Sequence, residues 1–368
     1  MWIAASPSCG LTCSNSSRKA PADRMRPRVV TGAAALIAMA ATTYALNNLT
    51  YAARQARRVA AAGFVERRIA LNGSTLNYAV GPDNGPPLLL IHGQITDWRS
   101  WSRVLPALSR THHVFAVDCP GHGGSDHNPY TYQAVAQADA MRRFLAGAVG
   151  APSLVAGHSS GGLVAAILAA DSPEWVRGVV LEDPPFFSSV LPAAEKTFNY
   201  VGLATVAHNF LASGRIDFTN YFLQHAGIWQ LFGKLAGPLQ RSGMRNRLRH
   251  PDKPVRFPVL PPSVNELFRA VDCYDPRFGA MFYDNSFHDG FDHARTLQRI
   301  TVPVALMHAN WHHDKDGVLL AAMSGADAAR ARSLLRGATF HRVDSGHNIH
   351  FEKPREFLAV VAALTQRL

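Results

Sequence analysis

The strongest constraint on this chain is a rhythm: short apolar runs of strand length alternate with stretches whose apolar residues recur at helical spacing. The runs are PLLLIH (87–92), HVFAVD (113–118), SLVAG (153–157), VVLED (179–183), PVALMH (303–308) and TFHRV (339–343). Between them, Ala134, Ala138, Met141, Leu145 and Val149 follow at steps of four and three and lay one apolar stripe along a helix. Strands that alternate with helices require a mainly parallel sheet covered on both faces. Ahead of this series, VERRIAL, Asn72-Gly73 and STLNYAV read as a β-hairpin closed by a tight turn. The alternation stops between 184 and 298, where aromatic residues crowd together and no comparable strand run occurs. That stretch is expected to be an inserted helical cap, with 64–183 and 299–368 forming the α/β core.

The formal charge of +11 is concentrated at one end. Residues 1–68 hold ten Lys and Arg against Asp23 and Glu66, a net of +8, which leaves +3 for the other 300 residues. A basic tail on a nearly neutral body argues against a nucleic-acid partner, whose groove would be basic within the folded domain. Residues 1–60 read as a leader: the uncharged stretch 29–46 follows Arg24, Arg26 and Arg28, the layout of an export signal or membrane anchor. Its many Ala and Thr residues make it weakly apolar, and Arg54, Arg57 and Arg58 add positive charge beyond it. Met25 is an alternative start. Cys9 and Cys13 lie in this leader, leaving Cys119 and Cys273 as free thiols or a single bridge.

The chemistry centres on Gly157-His158-Ser159-Ser160-Gly161, which follows the strand SLVAG and opens the helix GLVAAILAA. A serine on so sharp a strand-to-helix turn projects its hydroxyl clear of the sheet, and the flanking glycines leave room for the close backbone approach. Two further elements agree in order and position. His92-Gly93-Gln94 ends a strand where the Gln94 N–H can join the Ser160 N–H as an oxyanion hole. Asp344-Ser345-Gly346-His347 follows the last strand and places an imidazole on a loop at the sheet's carboxyl edge as general base.

With HG at 92–93, DCPGHGGSD at 118–126, GHSSGG at 157–162 and GHNIHFEKPREF at 346–357, the chain resembles the α/β-hydrolase superfamily, in its capped serine-hydrolase branch, from about residue 64 to 368. The resemblance implies an eight-stranded sheet, no redox cofactor, and attack by Ser159 on an acyl or related carbonyl carbon; the aromatic residues of 184–298 add the expectation of a small-molecule substrate with an apolar portion, with no cofactor required. It also argues against dehalogenase or epoxide hydrolase action, where an aspartate occupies the nucleophile position. The acid partner of His347 stays open. The seventh strand runs into HANWHHDKDG, which has no glycine ahead of the acid position and carries His312 where the acid of most relatives falls, so Asp314 is the first candidate. Asp183, at the end of strand six, is the alternative, followed by Asp316 and Glu182.

Other residues receive blander readings. His308, His312, His313 and Asp314 share one loop without a distant ligand set, and no metal site is expected there. His92 reads as a structural residue packed near the oxyanion loop, and His122 and His158 read as local hydrogen-bonding groups. The basic run from Arg241 to Arg256 reads as solvated surface.

Overall fold

The computed structural model describes residues 27–71 and 73–368, with side chains described from residue 35 apart from Asn72. The expectations for residues 1–26, including Met25, Cys9 and Cys13, and for Asn72 in the hairpin turn lie outside the described residues. Among the described residues, eight strands form one sheet in the order β1-β2-β4-β3-β5-β6-β7-β8. They are β1 (Val65–Leu71), β2 (Ser74–Val80), β3 (Pro87–Ile91), β4 (His113–Val117), β5 (Ser153–His158), β6 (Val176–Glu182), β7 (Val304–His308) and β8 (Thr339–Arg342). β1 and β2 pair antiparallel in the expected hairpin, with Leu71 opposite Ser74, and β2 is antiparallel to β4; the other pairings are parallel.

The sheet is buried on both faces, and the alternation within a strand decides which core each residue joins. In β3, Leu88 and Leu90 pack with one core while Leu89 and Ile91 pack with the other. The first core includes α2 (Leu105–Leu108), α12 (Ile349–Glu352) and α13 (Pro354–Thr365), while the second includes α3 (Ala134–Phe144), α4 (Ser160–Asp171), α10 (His293–Arg299) and α11 (Gly325–Leu334). α4 is buried along nearly its whole length, as its continuous apolar sequence requires.

Between β6 and β7 the chain has no strand among the described residues and forms α5 (Thr205–Ala212), α6 (Phe218–His225), α7 (Ala236–Arg249), α8 (Pro262–Ala270) and α9 (Pro276–Tyr283) before α10, which packs on α4. Its aromatic residues are chiefly core: Phe222, Phe257, Phe268, Phe282 and Phe287 are all fully or almost fully buried.

The amino-terminal segment departs from the expected leader. Residues 27–61 form one helix, α1 (Pro27–Ala61), and from Ala45 onward it belongs to the same compact unit as the rest of the chain. Asn48 donates to the Pro258 carbonyl at 2.8 Å, the Arg256 guanidinium donates to the Leu49 carbonyl, and the buried Tyr51 hydroxyl donates to Glu266 in α8. Asn48, Tyr51 and Val59 are buried at helical spacing among exposed neighbours, so this half of α1 is a component of the fold. The stretch 29–46 lies in the first part of α1, and among the described residues no helix is long and apolar enough to cross a membrane. Cys119 and Cys273 are free thiols, the first buried and the second exposed.

Tyr51→Phe tests the packing of α1. The substitution removes only the hydroxyl and leaves the Glu266 carboxylate with one partner fewer, so it is expected to lower unfolding stability by about 1–3 kcal/mol in a urea titration of the full chain. An unchanged midpoint would mean that α1 does not contribute through this contact.

Candidate active site

Ser159 links β5 to α4 with φ 55° and ψ −125°, a conformation that costs a side chain about 1–3 kcal/mol and is held by its surroundings. Its N–H donates to the Glu182 carbonyl at 2.9 Å, tying the turn to the neighbouring strand end. The glycines are required by approach rather than by dihedral: a Cβ on Gly161 would lie 2.3 Å from the His92 carbonyl oxygen, and one on Gly157 would lie 2.2 Å from that of Gly161. Ile95 (φ 54°) and Asp183 (φ 45°) share this strained backbone region. Both follow strand ends at the same edge of the sheet.

The loop that follows β3 is fixed by His92. The Cys119 N–H donates to His92 Nε2 at 2.9 Å, so the ring proton is on Nδ1 and donates to the Gly93 carbonyl at 2.8 Å. Burial drives this histidine down to about 4, which keeps it neutral. The Gln94 side chain donates to the Tyr274 hydroxyl of the insertion at 2.7 Å, and Gln94, Ser159 and Ser160 all line one cavity. Among the described residues no acceptor takes up the Gln94 or Ser160 N–H. Asp118, in the DCPGHGGSD loop, accepts from the Trp98 and Gly124 N–H groups and the Asn77 amide; burial, with the charge of Asp97, pushes it up to about 7.

Asp183 is the carboxylate that reaches His347, with Oδ2 2.7 Å from Nδ1, while its Oδ1 accepts the Ala309 N–H at 3.2 Å. Asp314, the first candidate on sequence, is elsewhere: its carboxylate accepts the Asp316 and Val318 N–H groups, both at 2.9 Å, and closes a local turn. Asp316 pairs with Lys315 at the surface, and Glu182 is engaged by His350. Burial pushes His347 down, but the hydrogen bond and charge of Asp183, with the charges of Glu182 and Glu352, more than offset it and raise the imidazole above its ordinary value.

Ser159 and His347 both line a cavity of about 380 Å³. Leu203, Ile228, Leu231, Leu267 and Phe282 of the insertion give it an apolar wall, and Glu266 and Glu352 also line it. A buried chain of ion pairs braces this wall. Arg269 of α8 is bidentate to Asp97, at 2.7 and 2.8 Å, and holds Glu266 at 2.9 Å; Glu266 in turn accepts from Tyr51. Burial opposes ionisation of Asp97, and Arg269 overrides it, holding the carboxyl well below the usual range. Neither Arg269 nor Tyr51 stands out in the sequence as a site residue.

Comparison with known proteins agrees with this architecture. The α/β-hydrolase fold family matches residues 86–354. A fluoroacetate dehalogenase from Burkholderia sp is 33% identical over 129 residues, which are 33% of this chain but only 41% of that enzyme's length. The magnesium-chelatase 30 kDa subunit of Rhodobacter capsulatus is 35% identical over 280 residues, covering 73% of this chain and 83% of the relative. Among solved structures, a bacterial membrane phospholipase A superposes with a TM-score of 0.58 at 23% identity, covering 92% of this chain and 99% of that one. The strand order, the strained serine at the β5–α4 turn and the family match over most of the chain together establish that this protein belongs to the α/β-hydrolase fold family.

Proposed function

We propose that this chain is a serine hydrolase that cleaves an uncharged carboxylic ester, or a related acyl compound, through an acyl-enzyme. The observation that carries the reading is the 2.7 Å contact between Asp183 and His347 Nδ1 beside the cavity that His347 shares with Ser159. With Nδ1 committed to the carboxylate, Nε2 is the nitrogen left to take the Ser159 proton. The serine oxygen then attacks the acyl carbon, and the Gln94 and Ser160 N–H groups receive the negative oxygen. Collapse expels the alcohol, protonated by His347, and water activated by the same imidazole releases the acid. The same groups are suited to a lactone, an activated carbon–carbon bond or perhydrolysis.

A second reading draws on the relative named as a magnesium-chelatase subunit: an accessory or ligand-binding protein on the same fold. A fluorophosphonate probe on the full chain separates the two. Covalent labelling that maps to Ser159, with hydrolysis of p-nitrophenyl butyrate, supports the hydrolase; no labelling and no turnover favours the binding protein.

The charge preference follows from Glu266 and Glu352, the two carboxylate residues that line the cavity. A substrate carboxylate would lose its water there and meet negative charge, so the mono-p-nitrophenyl ester of succinic acid is expected to show kcat/KM about 10–100-fold below that of p-nitrophenyl butyrate. Equal or faster turnover of the charged ester would rule this preference out.

A further inference from the structure

β6 ends on Glu182 and Asp183 follows it, and each of these two acids takes a histidine from the segment that follows β8. Asp183 takes His347. Glu182 takes His350: its Oε1 is 2.8 Å from both the N–H and the Nδ1 of that residue, and its Oε2 is 2.9 Å from the same Nδ1. Glu182 and His350 are both wholly buried, and the His350 ring lies 4.0 Å from that of Trp101. His158, beside the candidate nucleophile, completes the arrangement. Its Nε2 donates to the His347 carbonyl at 3.1 Å, and its ring lies 4.5 Å from that of His347 and 5.0 Å from that of His350.

A loop imidazole that must move a proton has to be held within about 0.5 Å of its working position by the groups around it. The Asp183 bond orients the His347 ring but does not fix the backbone that carries it. Glu182 clamps that backbone three residues on, through the His350 N–H, and His158 clamps it at His347 itself. A buried carboxylate is costly unless it is paired and hydrogen-bonded, and Glu182 spends all of its observed side-chain bonds on this one residue.

We propose that Glu182 and His350 form a second carboxylate–imidazole pair, behind the first, that acts as a positioning unit for His347 in proton transfer with Ser159. The inference rests on the hydrolase reading for its chemistry, but not for its geometry. The pair also has an electrostatic consequence. The groups that face His347 are Asp183 and Glu182 from the end of β6, His158 from β5, and His350 and Glu352 from α12; the three carboxylates all favour its charged form. Removing the charge of Glu182 therefore lowers the pH at which His347 becomes a free base, and the acidic limb of kcat/KM moves to lower pH.

The experiment compares full-length wild type with Glu182→Gln and with the double variant Glu182→Gln/His350→Leu. Glutamine keeps an acceptor for the residue 350 N–H, and the double variant leaves no unpaired imidazole if the single one folds poorly. With p-nitrophenyl butyrate between pH 5 and 9, kcat is expected to fall about 10–100-fold with KM within about threefold, and the acidic limb to shift downward. A folded variant with wild-type kcat and an unmoved limb would overturn the proposal. Two readings by NMR need no turnover: the titration midpoint of His347 should fall in the variant, and wild-type His350 should show a slowly exchanging Nδ1 proton. Absence of that proton also overturns it. If wild type neither hydrolyses nor labels while these NMR signatures hold, the hydrolase reading fails and the clamp stands.

Discussion

Ser159→Ala is expected to lower kcat/KM for p-nitrophenyl butyrate by about 10⁵–10⁶-fold and to abolish fluorophosphonate labelling, with the thermal midpoint almost unmoved. The large loss follows from covalent catalysis: without the hydroxyl there is no acyl-enzyme, and the imidazole has no proton to accept from the protein. The small structural effect follows from the turn. Alanine keeps the Cβ that already occupies this strained position, and the bond that ties the turn to β6 is made by the residue 159 N–H, which the substitution retains. What activity remains would come from the cavity and the oxyanion donors, which still orient and polarise a bound ester. Active-site titration alongside the kinetics excludes contaminating wild-type enzyme. A variant retaining more than about 1% of turnover would remove Ser159 from the nucleophile role.

The parts of this protein that were legible from sequence are those in which burial imposes a period. β3, β5 and β7 are nearly continuous apolar runs because both faces are covered, and α4 is apolar all round for the same reason. The Ser159 turn is legible because steric crowding restricts it to a few residue types, as Gly157 and Gly161 demonstrate. Two features escaped. The second half of α1 falls within the leader reading because the uncharged stretch 29–46 behind Arg24, Arg26 and Arg28 has the layout of an export signal or anchor, although Asn48, Tyr51 and Val59 already carry a helical period. Which carboxylate meets His347 is open in the sequence because loop conformation, rather than periodicity, selects it. A physical clue lies in Glu182, which ends a strand buried except at Arg177, and Asp183, which follows it: two buried carboxylates must both find donors, and His347 and His350 supply them. Asp314 had a nearer use in capping its own turn.

Asp183→Asn and Asp314→Asn should therefore separate by orders of magnitude. At position 183 the side-chain oxygen must continue to accept the Ala309 N–H, or that buried donor is orphaned. The amide NH2 then faces His347 Nδ1 and can only donate. It stabilises the tautomer with the proton on Nε2, the nitrogen that must be bare to accept from Ser159. The expected loss in kcat is about 10³–10⁴-fold with little change in KM, because the damage falls on proton transfer rather than on the apolar wall. The imidazolium also loses its nearest negative charge, so the residual activity should show its acidic limb at lower pH than wild type. At position 314, asparagine offers the same oxygen to the Asp316 and Val318 N–H groups, so the turn survives and kcat should stay within about twofold. The opposite ranking would require the loop after β7 to rearrange and bring Asp314 to His347. In that case Asp183, already buried and holding Ala309, would be a structural carboxylate that orders the strand ends.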